Sequence, residues 1–127
     1  MKSQMIKTLL LTTAVTLTTA ASADTRIIEV WNCKLPEGKT IEDVHAANKT
    51  WRTFVNDTVE GGDVQSHIVT SVVGGSTGFM FVDSYPNLAT WAATEAALKT
   101  PEGLAVEAVI YSVSLCTTNT LHESTES

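Results

Sequence analysis

From residue 25 onward the chain is punctuated at short intervals, and the spacing of its apolar residues changes from segment to segment. Residues 25–35 (TRIIEVWNCKL) are rich in β-branched and aromatic side chains and predict a strand, which Pro36-Glu37-Gly38 ends. Thr40 then stands where a helix N-cap is expected, with Glu42 and Asp43 in the first turn. Ile41, Val44, Ala47, Trp51, Phe54 and Val55 recur at three- and four-residue spacing, one apolar helical stripe that should fade near Thr58, before Gly61-Gly62. Residues 64–73 and 77–84 predict two strands joined through Gly74-Gly75-Ser76 as a hairpin. Asn87 is placed to cap a second helix whose apolar face is Leu88, Trp91, Ala92, Ala96 and Leu98. Thr100-Pro101-Glu102 suits a short helical turn, and residues 107–116 (EAVIYSVSLC) alternate as a fourth strand. Residues 117–127 are polar and read as a fraying tail.

The predicted order is β-α-β-β-α-β, the α+β ferredoxin-like pattern. It implies a four-stranded antiparallel sheet in the order 4-1-3-2 with two main helices on one face, in a domain of residues 24–116. The fourth strand separates into Val109, Tyr111, Val113 and Leu115 on one side and Ile110, Ser112, Ser114 and Cys116 on the other. In the first strand Ile28 and Val30 suit the core, which sends Glu29, Trp31 and Cys33 to the open face. The second strand offers two sets without deciding between them, and the third is apolar on both sides. An open face carrying Trp31, Ile110 and one third-strand set is too apolar to stand in water. The expectation is a homodimer with facing sheets and a small apolar or aromatic ligand between them.

Over residues 27–115 the chain resembles the dimeric α/β-barrel superfamily, which includes the antibiotic-biosynthesis monooxygenase-like domains. The resemblance rests on element order, length, the doubly apolar sheet and the run Phe81-Val82-Asp83-Ser84-Tyr85-Pro86 before the second helix. It implies a ferredoxin-like dimer, and activities ranging from cofactor-free oxygenase or isomerase to haem degradation to none. Haem-degrading relatives use a first-strand asparagine, matched in place by Asn32, together with a later tryptophan and histidine. Those do not carry over: Trp91 falls within the second helix, and no histidine lies between His67 and His122. No cofactor is expected.

The first 23 residues change the setting of this domain. Lys2 and Lys7, a short threonine-diluted apolar stretch, and Ala21-Ser22-Ala23 have the three parts of a cleavable secretory signal. That stretch is too short for a membrane span, which takes about 20 apolar residues, and no later run is long enough. Export to a bacterial periplasm or beyond is the expectation. The whole chain carries a net charge of −6, and all 14 acidic residues lie beyond the signal. So acidic a domain, with no Lys/Arg cluster, repels phosphate backbones, so nucleic acid is not an expected partner.

Candidate chemistry is sparse. Glu29, Trp31, Asn32 and His67 are the residues that would meet a ligand, and on the open face His67 could serve as a general base near Glu29 in an enzyme. Three of them have a plainer role: His67 an ordinary half-exposed position, Asn32 a strand-end amide, Trp31 a dimer anchor. His45, His67 and His122 show no metal spacing. Two cysteines in an oxidising compartment suggest one disulfide. The predicted topology sets Cys33 and Cys116 at opposite ends of neighbouring strands, far beyond the ~7 Å limit for a bridge. Three solutions follow: a misplaced fourth strand, a bond between subunits, or two free thiols. Three functional readings also stand: a ligand-binding dimer, a cofactor-independent monooxygenase or isomerase, and an assembly component without ligand.

Overall fold

A computed structural model describes residues 25–75 and 77–127; residues 1–23, expected to form a secretory signal, lie outside the described residues. The elements are β1 (Thr25–Lys34), α1 (Ile41–Thr58), β2 (Gln65–Thr70), β3 (Phe79–Tyr85), α2 (Leu88–Leu98), α3 (Pro101–Val113) and β4 (Leu115–Thr125). They form a four-stranded antiparallel sheet in the order β2-β3-β1-β4, the expected 4-1-3-2 read from the other edge.

The helix start signals work as their chemistry requires. The Thr40 hydroxyl accepts from the Asp43 amide at 3.3 Å while the Asp43 carboxylate accepts from the Thr40 amide at 2.9 Å, a reciprocal capping box. The Asn87 side chain accepts from the Thr90 amide at 2.8 Å and so caps α2.

The last third of the chain corrects the expectation. Residues 107–116 are not a strand: most belong to α3, a 13-residue helix opened by the Thr100 cap and Pro101. Val106, Ile110 and Val113 sit at helical spacing and pack into the core, so the residues that alternate also satisfy a helical period. The cap and proline decide between the two readings. The polar segment after Cys116 is therefore no tail. It is β4, eleven residues exposed along their whole length. An edge strand has little apolar surface to bury, but its four threonines among residues 117–125 suit a pleated backbone.

This shift resolves the cysteines. With β4 starting at Leu115, Cys116 pairs with Cys33 across the β1–β4 ladder, at a register irregularity. The two form an intrachain disulfide, their Cα atoms 3.9 Å apart.

The sides of β1 are also reversed. Ile27, Glu29, Trp31 and Cys33 share a face with Phe79, Phe81, Asp83 and Tyr85 of β3, as the register shows. The apolar members of this set pack with α1, α2 and α3 residues in two core clusters, around Trp51, Tyr85 and Leu98 and around Val44, Phe79 and Phe81. Ile28 and Val30 lie on the opposite face. The β2 ambiguity is settled by pairing: Ser66 and Ile68 join the core face, while His67 and Val69 join Val82 and Met80 opposite.

One close approach fixes the α2–α3 corner. The Thr100 hydroxyl donates to the Ala97 carbonyl at 2.7 Å and accepts from the Gly103 amide at 3.2 Å. A Cβ on Gly103 would lie 2.2 Å from that Ala97 oxygen and 2.5 Å from the Leu98 Cα, both backbone atoms. Gly103→Ala is therefore expected to destabilise the domain by about 1–3 kcal/mol, although alanine is the better helix former. Urea denaturation measures it; an unchanged or higher midpoint would show that the corner opens freely. Among the described residues no helix is long and apolar enough to cross a membrane.

Candidate functional site

Between the core face of the sheet and the helices lies a pocket with about 550 Å³ of empty space, its open mouth included. β1 supplies Glu29 and Trp31, β3 supplies Phe81 and Asp83, and α1 supplies Asn48 and Trp51. Glu95 and Leu98 come from α2, Glu107, Ile110 and Tyr111 from α3, and the wall is completed by Ser114 and Cys116. Strand alternation explains the sheet contribution. Glu29 and Trp31 are two apart on β1 and lie opposite Asp83 and Phe81, so an acid and an aromatic ring are presented side by side from each strand.

The buried polar groups are tied to the protein. Glu29 is 4% exposed; one of its carboxylate oxygens accepts from the Tyr85 hydroxyl at 3.2 Å and the other from the Asn119 amide of β4 at 3.1 Å. Asp83 is 6% exposed and accepts a short hydrogen bond from the Ser66 hydroxyl. The Asn48 amide in turn donates to that Ser66 oxygen at 2.9 Å. A relay Asn48–Ser66–Asp83 thus runs from α1 through β2 to β3, ending at the pocket wall.

Burial dominates the electrostatics. It pushes the Asp83 carboxyl up to about 7, helped by the neighbouring Glu29 charge and opposed by the Ser66 hydrogen bond. Burial also raises Glu95, with Glu29 and Glu107 adding to the rise and Lys99 opposing it. Glu107 is raised by burial and by Glu29, against the hydrogen bond it accepts from the Tyr111 hydroxyl at 3.2 Å. The Tyr85 and Tyr111 hydroxyls are both pushed up, first by burial and then by these carboxylates.

The four residues expected to share one ligand surface are divided by the sheet. Glu29 and Trp31 line the pocket. Asn32 and His67 are exposed on the opposite face, where the Asn32 amide donates to the Thr118 hydroxyl at 2.8 Å and His67 lies across from Val82. They share no cavity with Glu29, so His67 cannot act as a base beside it. The pocket that Glu29 and Trp31 line lies within one chain, between its sheet and its helices. The sequence reading missed Asp83, Glu95, Glu107, Tyr111 and the Asn48–Ser66 pair. The signal for the acids was present: each interrupts an apolar run, FMFVDSY, WAATEAAL and GLAVEAVI.

The fold, a four-stranded antiparallel sheet with three helices, is shared with solved structures that include ferredoxin-like proteins. The cofactor-independent oxygenase SnoaB of Streptomyces nogalater superposes with a TM-score of 0.59 at 10% identity, over 80% of this chain and 95% of that one. A protein of unknown function from Bacteroides thetaiotaomicron, described as a possible oxidoreductase, matches at TM-score 0.50 and 15% identity, over 82% and 100%. A dimeric ferredoxin-like protein of unknown function from Thermobifida fusca matches at 0.50 and 12%, over 80% and 92%. No protein-family model matches the sequence, and no curated protein is significantly similar.

Proposed function

We propose that this chain is an exported, homodimeric binding domain that holds a small ligand with an aromatic or apolar body in the pocket beneath its helices. The observation that carries the reading is the pocket wall: Trp31, Trp51, Phe81 and Tyr111 alternate with a few fixed polar groups. Ligand sites are built this way, apolar for affinity and sparsely polar for orientation. A panel of neutral and charged one- and two-ring aromatic probes, titrated into labelled protein, tests it. Saturable shifts are expected at the indole N–H signals of Trp31 and Trp51, with the Trp91 signal, outside the lining, nearly still. Absence of any saturable shift defeats the reading.

The opposite sheet face supports the dimer. Ile28, Val30, Val69, Met80 and Val82 are only half-buried in the single chain, and Val30 lies directly across from Val82. A second sheet laid on this face would bury them. Val82→Glu is expected to halve the mass seen in sedimentation velocity while leaving the far-UV spectrum intact; a monomeric parent protein would remove the proposal. Export draws its support from the signal-like segment of residues 1–23 and from a disulfide that persists only in an oxidising compartment.

A cofactor-independent oxygenase is the second reading, favoured by one observation. Burial pushes the Asp83 carboxyl up to about 7 at an aromatic wall, the range in which a base acting on a weakly acidic substrate works. Oxygen uptake with a panel of phenols, above the protein-free rate and lost in Asp83→Asn, is its signature.

A further inference from the structure

We propose that the pocket takes a small organic cation, an ammonium group carried on a ring or a short apolar body. The proposal rests on the reading of the pocket as a binding site and adds the charge of its occupant. Four carboxyl groups reach the wall from four separate elements: Glu29 from β1, Asp83 from β3, Glu95 from α2 and Glu107 from α3. Their fields overlap, since the Glu29 charge acts on the other three and Glu107 acts on Glu95. Among the described residues no lysine, arginine or histidine lines the pocket. Among the described residues the opposing cation that acts on the group is Lys99, past the end of α2, and it acts on Glu95. Like charges gathered in a half-enclosed space repel one another, and a positive occupant reverses the sign of that interaction.

Two further observations select the kind of cation. Among the described residues no three His, Cys, Asp or Glu side chains converge to hold a metal ion. The carboxyls therefore surround a volume rather than a point, which suits a polyatomic ion. Between them stand Trp31, Trp51, Phe81 and Tyr111, whose ring faces attract an ammonium and whose apolar area takes up its carbon body. Asp83 adds a directional contact. Among the described residues its side chain has Ser66 as its hydrogen-bond partner, through one carboxylate oxygen. Asp83 stands on the pocket wall, and its carboxylate can accept from an ammonium there.

Three probes of nearly equal size separate charge from shape: 2-phenylethylammonium, 2-phenylethanol and phenylacetate, titrated at pH 8 into the oxidised protein with the Trp31 and Trp51 indole signals as readout. The ammonium is expected to bind at least tenfold more tightly than the alcohol, and phenylacetate more weakly than either. In the Glu95→Gln/Glu107→Gln double variant, both positions being at the accessible side of the pocket, the ammonium-to-alcohol ratio should shrink at least tenfold. If the alcohol binds as tightly as the ammonium, or the ratio survives the double substitution, the charge assignment fails while the pocket stands as a site. If none of the three moves the Trp31 and Trp51 signals, the binding reading fails with it.

Discussion

Reducing the Cys33–Cys116 bond is expected to lower the stability of this domain by about 3–4 kcal/mol, the upper part of the range for native disulfides. The bond spans a sequence separation of 83, so breaking it returns a long loop of conformational freedom to the unfolded chain. The native state suffers as well. β4 is an edge strand, exposed along its length and ladder-paired to β1 alone, and the disulfide fastens its second residue, Cys116, to Cys33 near the end of β1. For a domain near 100 residues a loss of this size lowers the melting temperature by roughly 15–25 °C. Thermal unfolding with and without dithiothreitol measures it, and a Cys33→Ala/Cys116→Ala variant separates the bond from the reagent. Hydrogen exchange should show the β4 amides opening first. The consequence reaches the pocket, because β4 carries Asn119, one of the two donors to Glu29. A melting temperature unmoved by reduction would mean that the β1–β4 ladder holds without its staple.

The same bond shows where the sequence was legible. The first three strands, α1 and α2 announce themselves through caps, glycines and apolar stripes, and those signals name the fold and its strand order. The incompatibility of Cys33 with Cys116 under the expected topology was itself evidence, and a misplaced fourth strand is the solution the structure adopts. The α3–β4 region misleads because its local chemistry is inverted. The helix is rich in valine and isoleucine, and the strand, lying at an edge, is polar throughout.

The pocket was hidden for a related reason. Sorting β1 by hydrophobicity puts Ile28 and Val30 inside and Glu29 outside, because a buried carboxylate is costly unless it is bonded. Glu29 is bonded, but its partners Tyr85 and Asn119 lie 56 and 90 residues away, beyond the reach of local pattern. Parity alone does exclude one grouping: Glu29 and Asn32 differ by an odd number on one strand and cannot share a face. A domain that buries polar groups to make a site breaks the binary pattern at that site.

Asp83→Asn is expected to stabilise the domain at pH 8 by about 2–4 kcal/mol and to do little at pH 4. The sign follows from the two states of the wild-type carboxyl. Unfolded, it titrates at its ordinary value of 3.8; folded, it titrates at about 7 because burial disfavours its charge. Below about pH 4 both states hold the proton and Asp83 costs nothing. As pH rises toward 7, the folded state keeps a proton that the unfolded state has released, and stability falls by about 1.4 kcal/mol per unit. Above 7 the loss is complete and the curve levels. Asparagine keeps the shape and the acceptor for Ser66 but carries no charge, so its stability should change far less across that window. Some slope remains, since Glu95 and Glu107 are raised in the same direction. Urea midpoints for both proteins between pH 4.5 and 8.5 test this; parallel curves would show that Asp83 is not the buried acid described above. A gain in stability from losing one side chain is the mark of a residue kept for another purpose. If that purpose is to hold an ammonium, Asp83→Asn binds 2-phenylethylammonium more weakly as it becomes more stable, and the two changes grow together with pH.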